Sequence, residues 1–176
     1  MKKYILISLF LINSISVISQ NKKLSSVKVD DNLTRYYINY ENGLPTLTTN
    51  KYGSLKFYLE KYVKISDDKK NISYNLIFDL NEKIINSLNK DIYVTIVFLD
   101  YSIINARPSL ENEGAFKGNI TIPIKNIDRL TKTAIKSINF KIKGESDEND
   151  IVFKFNKDDA GNLKFQKEAL LIKEGK

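Results

Sequence analysis

Residues 91–100, DIYVTIVFLD, constrain the fold most. Extended, they turn Ile92, Val94, Ile96 and Phe98 to one side and Tyr93, Val97 and Leu99 to the other, with Thr95 the one polar interruption. A strand apolar on both faces needs cover on both faces, which places it at the centre of a sheet. Its β-branched and aromatic content, at this length, selects strand over buried helix.

Other segments repeat the period of two. Ile72, Tyr74, Leu76, Phe78 and Leu80 alternate with Ser73, Asn75 and Asp79, so one face is buried and one is polar. Residues 118–124 place Ile120, Ile122 and Ile124 inward, and 137–143 do the same with Ile138, Phe140 and Ile142. Residues 151–155 read as the hairpin partner of that last strand. Residues 27–29 read as a short first strand. RYYINY (35–40) is followed by Glu41-Asn42-Gly43, and Asn-Gly between extended runs predicts a hairpin with 44–49 as its return strand. Pro45 makes that return strand an edge. Residues 67–70 and 145–150 are charged turns, 158–162 a turn around Gly161, and 163–165 and 169–172 the last strands.

Two segments read as helix. In 126–136, Asn126 caps, Asp128 suits the first turn, and Ile127, Leu130 and Ala134 share a face. In GSLKFYLEKYVKI (53–65), a helix gathers Leu55, Tyr58, Leu59 and Tyr62 opposite a stripe of Lys56, Glu60 and Lys64. A strand there alternates Leu55, Phe57 and Leu59 but puts Lys61 on the apolar face, so helix is favoured. The sum is a mainly β chain: an antiparallel β-sandwich or curled sheet with one or two short helices.

The N-terminus is read apart from the fold. MKKYILISLFLINSISVIS pairs two lysines with an apolar run from Tyr4 to Ile12 and ends on small residues at Val17 and Ser19. This is the pattern of a secretory signal cleaved after Ser19, leaving residues 20–176 as a single β-rich domain with 20–26 as a flexible lead-in. The run is too short and too interrupted to span a bilayer, so the exported chain is not expected to be transmembrane. The expected destination is periplasmic or extracellular. Without cysteine, stability there has to come from packing. The net charge of +7 falls to +5 once Lys2 and Lys3 go with the leader. An exported chain of that charge is expected to meet another envelope or extracellular protein, or an anionic glycan, and not nucleic acid.

Composition also narrows the chemistry. With no histidine and no cysteine, the commonest general base, every thiol nucleophile and ordinary zinc sites are excluded. No glycine-rich phosphate loop or nucleophile elbow is present. The acidic runs at 145–150 and 158–159 do not match an EF-hand loop, so neither catalytic residues, metal ligands nor cofactors are assigned. Residues 101–117, YSIINARPSLENEGAFK, read as one long irregular loop, the usual seat of binding on a β scaffold. Tyr101, Arg107, Leu110 and Phe116 are its contact-type side chains. Lys132 and Lys136, one turn apart on the expected helix, form with Lys141 and Lys143 a basic patch. Tyr36, Tyr37 and Tyr40 offer rings that either stack on sugars or enter the core.

The signal ending in Ser-Gln, the cysteine-free β-rich remainder and IPIKNIDRLTKTAIKSINFKI (122–142) resemble small exported proteins of Bacteroidota with no assigned function, in which a strand, short helix and strand recur. Residues 53–80 are similar in pattern to the helix-then-strand of TonB C-terminal domains, without their paired glycines and Tyr-Pro. Neither resemblance brings functional residues. The expectation is a non-enzymatic, protein-binding or envelope-assembly domain, acting through an exposed strand edge or the 101–117 loop. The alternative is a carbohydrate-binding module recognising cell-surface or extracellular glycan through exposed tyrosines.

Overall fold

The computed structural model describes residues 24–39, 46–50, 53–80, 92–108, 119–142, 150–155 and 160–175. The leader, the Asn42-Gly43 turn, Leu110, Phe116 and the acidic run at 145–149 lie outside the described residues. Ten strands and two helices are described: β1 Leu24–Lys28, β2 Leu33–Ile38, β3 Thr46–Asn50, β4 Gly53–Ser66, β5 Lys69–Asp79, β6 Ile92–Phe98, β7 Ile103–Ala106, β8 Asn119–Ile124, α1 Ile127–Lys132, β9 Ile135–Ile142, β10 Ile151–Lys154 and α2 Ala160–Glu174. They form two antiparallel sheets. Sheet A runs β1-β2-β4-β5-β8 with β3 also on β4, and sheet B runs β10-β9-β6-β7. The expected mainly β, antiparallel architecture is what the chain adopts.

The inner faces pack as the alternation requires. Phe57, Phe78 and Ile120 share one row across sheet A, and Leu59, Leu76 and Ile122 share the next. Sheet B answers with Val94, Ile96, Ile138, Phe140 and Phe153, all fully buried. Aromatic rings link the layers. Phe57 meets Phe165 of α2 at 4.9 Å and Phe155 at 5.7 Å, while Phe78 meets Phe140 at 5.3 Å, all edge to face. Such contacts contribute about 0.5–1.5 kcal/mol each beyond area burial.

Strand β6 lies between β9 and β7, so the opening motif is central to its sheet. Its outward residues Tyr93, Thr95 and Val97 are half-buried rather than fully covered. β4 corrects the favoured helix reading of 53–65: it is a strand of 14 residues. The lysine that argued against strand has a structural task. Lys61 points inward, is 8% exposed, and its Nζ donates to the Lys173 carbonyl at the C-terminal end of α2 at 3.2 Å. A cation is favourable at that end of a helix dipole. Burial pushes its pKa down, with help from Lys70. With 53–66 extended, the pattern shared with TonB C-terminal domains is also absent.

The C-terminus is a second correction. Residues 160–174 form one helix of 15 residues in place of the expected turn and strands, so of the two helices one is short and one is not. Phe165, Ala169 and Ile172 recur at helical spacing and are buried against sheet A. Asn162, 1% exposed, accepts from the Ile135 N–H at 3.0 Å and donates to the Ile135 carbonyl at 2.7 Å. That pair pins the start of α2 to β9. At the other end Lys173 Nζ meets Asp128 of α1 at 2.6 Å.

Smaller differences follow from pairing. β2 and β3 do not form a hairpin with each other; both lie along the same edge of β4, β2 opposite residues 60–64 and β3 opposite 53–57. Leu24 to Ser26, expected as flexible lead-in, already belong to β1. α1 ends at Lys132 because Thr133 turns extended (φ −121, ψ 129) to start β9, so Lys136 is a strand residue and not one helical turn from Lys132. The Asn126 cap is as expected, its side chain accepting from the Asp128 N–H at 3.1 Å. Asp67 and Asp68 make the β4–β5 turn with positive φ of 49 and 59, as two-residue hairpin turns require.

Candidate functional site

The 101–117 segment is not irregular throughout: Ile103–Ala106 is β7, an edge strand that among the described residues pairs with β6 alone. It opens on a tight turn. The Tyr101 N–H donates to the Phe98 carbonyl at 3.0 Å, and Asp100 Oδ1 accepts from the Ser102 N–H at 2.9 Å and from its hydroxyl at 2.5 Å. Those two bonds hold the Asp100 carboxyl below the usual carboxylate range. Tyr101 takes a positive φ of 62, a conformation that favours glycine, and the residue is 75% exposed.

The ladder fixes what the edge presents. The Phe98 N–H donates to the Ser102 carbonyl at 3.0 Å, so 98 and 102 are a hydrogen-bonded pair. Antiparallel pairing alternates from there. Ile104 and Ala106 therefore bond β6, and the backbone N–H and C=O of Ile103 and Asn105 point to the other side. Ile104 and Ala106 pack their side chains against the core, while Ile103 is 51% exposed on the outward face. Arg107 also lies outward: its Nη2 donates to the Tyr93 hydroxyl at 2.6 Å, and its guanidinium sits 4.8 Å from that ring. Asn105 accepts from the Thr95 hydroxyl at 2.8 Å.

The expected contact residues are thus brought together in part. Lys136 Nζ lies 4.3 Å from the centre of the Tyr101 ring, so these two meet across the end of sheet B. Arg107 stands further along the same edge. Lys132 is exposed at the end of α1. A residue outside the expected set completes the turn's support: Arg129 Nη1 donates to the Ile103 carbonyl at 3.1 Å. The tyrosines of RYYINY divide, because adjacent strand residues face opposite ways. Tyr37 is on the outward face of sheet A under the Arg35 guanidinium, Tyr36 is inward beside Lys61, and Tyr40 lies outside the described residues.

Among the described residues no group of three or more acidic side chains is arranged to hold a metal ion, and no helix is long and apolar enough to cross a membrane. Comparison with protein-family models, with curated proteins and with solved structures finds no match to this chain.

Proposed function

We propose that the chain is a non-enzymatic, exported binding domain that docks another envelope or extracellular protein on the β7 edge of sheet B. The observation that carries the reading is Tyr101: a bulky residue, three-quarters exposed, held in a left-handed turn where glycine would be less strained. Backbone strain of this kind is retained where surrounding structure over-determines it, and it concentrates at contact sites. The turn, the Arg129 contact and the Lys136 ammonium over the ring present Tyr101 in one orientation. A rigid tyrosine binds with little loss of side-chain entropy. Next to it, Ile103 adds apolar surface, and the outward Ile103 N–H and the Asn105 N–H and C=O match what a partner strand needs, the Ile103 carbonyl being held by Arg129.

The test is a crosslinking pull-down from envelope fractions, with the chain from Gln20 as bait. The expected result is one stoichiometric protein, captured by the unchanged bait and lost from Tyr101→Ala and Ile103→Lys. Equal capture by all three baits would contradict the reading. So would retention that soluble glycan abolishes.

A further inference from the structure

The C-terminal helix α2 carries two apolar stripes. Phe165, Ala169 and Ile172 form the buried one, each 1% exposed or less. Leu163 and Leu170, two helical turns apart, stand on the opposite side, 55% and 43% exposed. Lys167 is exposed between them, one turn from each. A helix that serves only its own core keeps that outer side polar. Two leucines aligned there point to a second contact. Its surroundings are basic. Lys164 and Lys173 flank the stripe on the helix. Lys132 of the adjoining α1 is exposed and close enough to Asp128 that, after Lys173, it helps hold that carboxyl below the usual range. Of the carboxylates, Asp128 is engaged by Lys173 at 2.6 Å, Glu168 is 2% exposed, and Glu174 is exposed at the helix end.

A second copy is a poor occupant. A two-fold pairing that sets Leu163 against the other copy's Leu170 brings both Lys167 side chains to the centre. Two leucines a side also bury far less than the roughly 1,200 Å² of a stable interface. An anionic lipid surface asks for less. It takes a short apolar stripe into the boundary between headgroups and acyl chains, and its phosphates attract the lysines around that stripe. We propose that α2 lies along such a surface, with Leu163 and Leu170 in that boundary and Lys167 against lipid phosphates. The contact is separate from the β7 edge and stands or falls independently of it. A bilayer on this face presents lipid, not protein, to Leu163.

The test is flotation with vesicles of phosphatidylcholine alone and of an equal mixture with phosphatidylglycerol. It uses the chain from Gln20, which keeps every described element and omits the apolar run Tyr4–Ile12, itself able to enter a bilayer. The chain is expected to float with the mixed vesicles and to stay behind with phosphatidylcholine alone. Leu163→Ser with Leu170→Ser, an outer-face change that leaves the buried stripe intact, should weaken the binding about tenfold or more. Lys167→Glu should weaken it as well, and Tyr101→Ala at the β7 edge should leave it unchanged. The inference is overturned if the chain does not float with the mixed vesicles, or floats equally with both kinds. It is overturned too if the double leucine variant, folded by circular dichroism, floats as well as the unchanged chain, or if Tyr101→Ala abolishes flotation.

Discussion

Residues 53–65 suit a helix and a strand almost equally, and the two readings make opposite demands on neighbouring side chains. In the strand, Phe57 is fully buried and in ring contact with Phe78, Phe155 and Phe165, whereas Tyr58 is half-buried on the outward face. In a helix Tyr58 would share the apolar face with Leu55, Leu59 and Tyr62, and Phe57 would point away. Truncating a buried phenylalanine costs about 3–5 kcal/mol. Phe57 belongs at the upper end, because its partners come from β5, α2 and the end of β10, and these cannot all close on the cavity. Phe57→Ala is therefore expected to lose about 4–5 kcal/mol in urea unfolding. Tyr58→Ala should lose about 1 kcal/mol, as at a partly exposed site. Phe57→Leu, a milder change, should keep the same order. A larger loss for Tyr58→Ala than for Phe57→Ala would refute the strand and with it the register of sheet A.

Three further outcomes follow from other sites. Asn162→Ala should cost about 2–4 kcal/mol in the same assay, since it removes two hydrogen bonds and leaves the buried Ile135 N–H and carbonyl unpaired; a loss within about 0.5 kcal/mol, the range of ordinary surface substitutions, would mean α2 is not pinned there. Burial, with the Glu60 hydrogen bond and charge, pushes the Tyr62 phenol from 10.0 up to about 12. The unfolded chain thus releases that proton first, so its contribution to stability is complete below pH 10 and is lost as pH rises to about 12; Tyr62→Phe should flatten that part of the alkaline stability profile, and an unchanged profile would contradict the assignment. Tyr101→Gly should raise stability by about 0.5–1 kcal/mol by relieving the left-handed turn, while abolishing partner capture; a gain in both would dissociate the strain from binding.

Much of sheet geometry was legible because a single face decides it. The period of two in 72–80, 118–124 and 137–143 became β5, β8 and β9, with Leu76, Phe78, Leu80, Ile120, Ile122, Ile124, Ile138 and Phe140 buried as read, whereas Ile72, near the β4–β5 turn, is 46% exposed. β4 was obscured by Glu60 and Lys61, adjacent charged residues that are both buried, on opposite faces. Each is tolerated through a distant partner, Arg35 for one and the Lys173 carbonyl for the other, and local sequence does not reveal such partners. In α2 the helical spacing of Phe165, Ala169 and Ile172 was present, but Gly161 and Asn162 read as a turn. Asn162 turns out to be an anchor whose partner lies in β9. β2 and β3 pair with β4 and not with each other, since that long strand offers both one shared edge.

Of the contact site, residue types were legible and positions were not. Tyr101 and Arg107 follow from loop composition, but the meeting of Tyr101 with Lys136 depends on α1 ending at Lys132 and on the pairing of β9 with β6. The meeting of Arg35, Glu60 and Tyr62 on the outward face of sheet A was hidden by the helix reading of 53–65. As a strand, Tyr58, Glu60 and Tyr62 alternate onto one face and bring Arg35 opposite them.

Docking at the β7 edge is tested most directly by site-specific photocrosslinking in the native envelope. A photoreactive phenylalanine analogue is placed at Tyr101, at Ile103 and, as control, at Leu163, which is 55% exposed on α2. The same single protein adduct is expected from positions 101 and 103 and none from 163. Adducts that form equally from 163, or no protein adduct from 101 and 103, would contradict it.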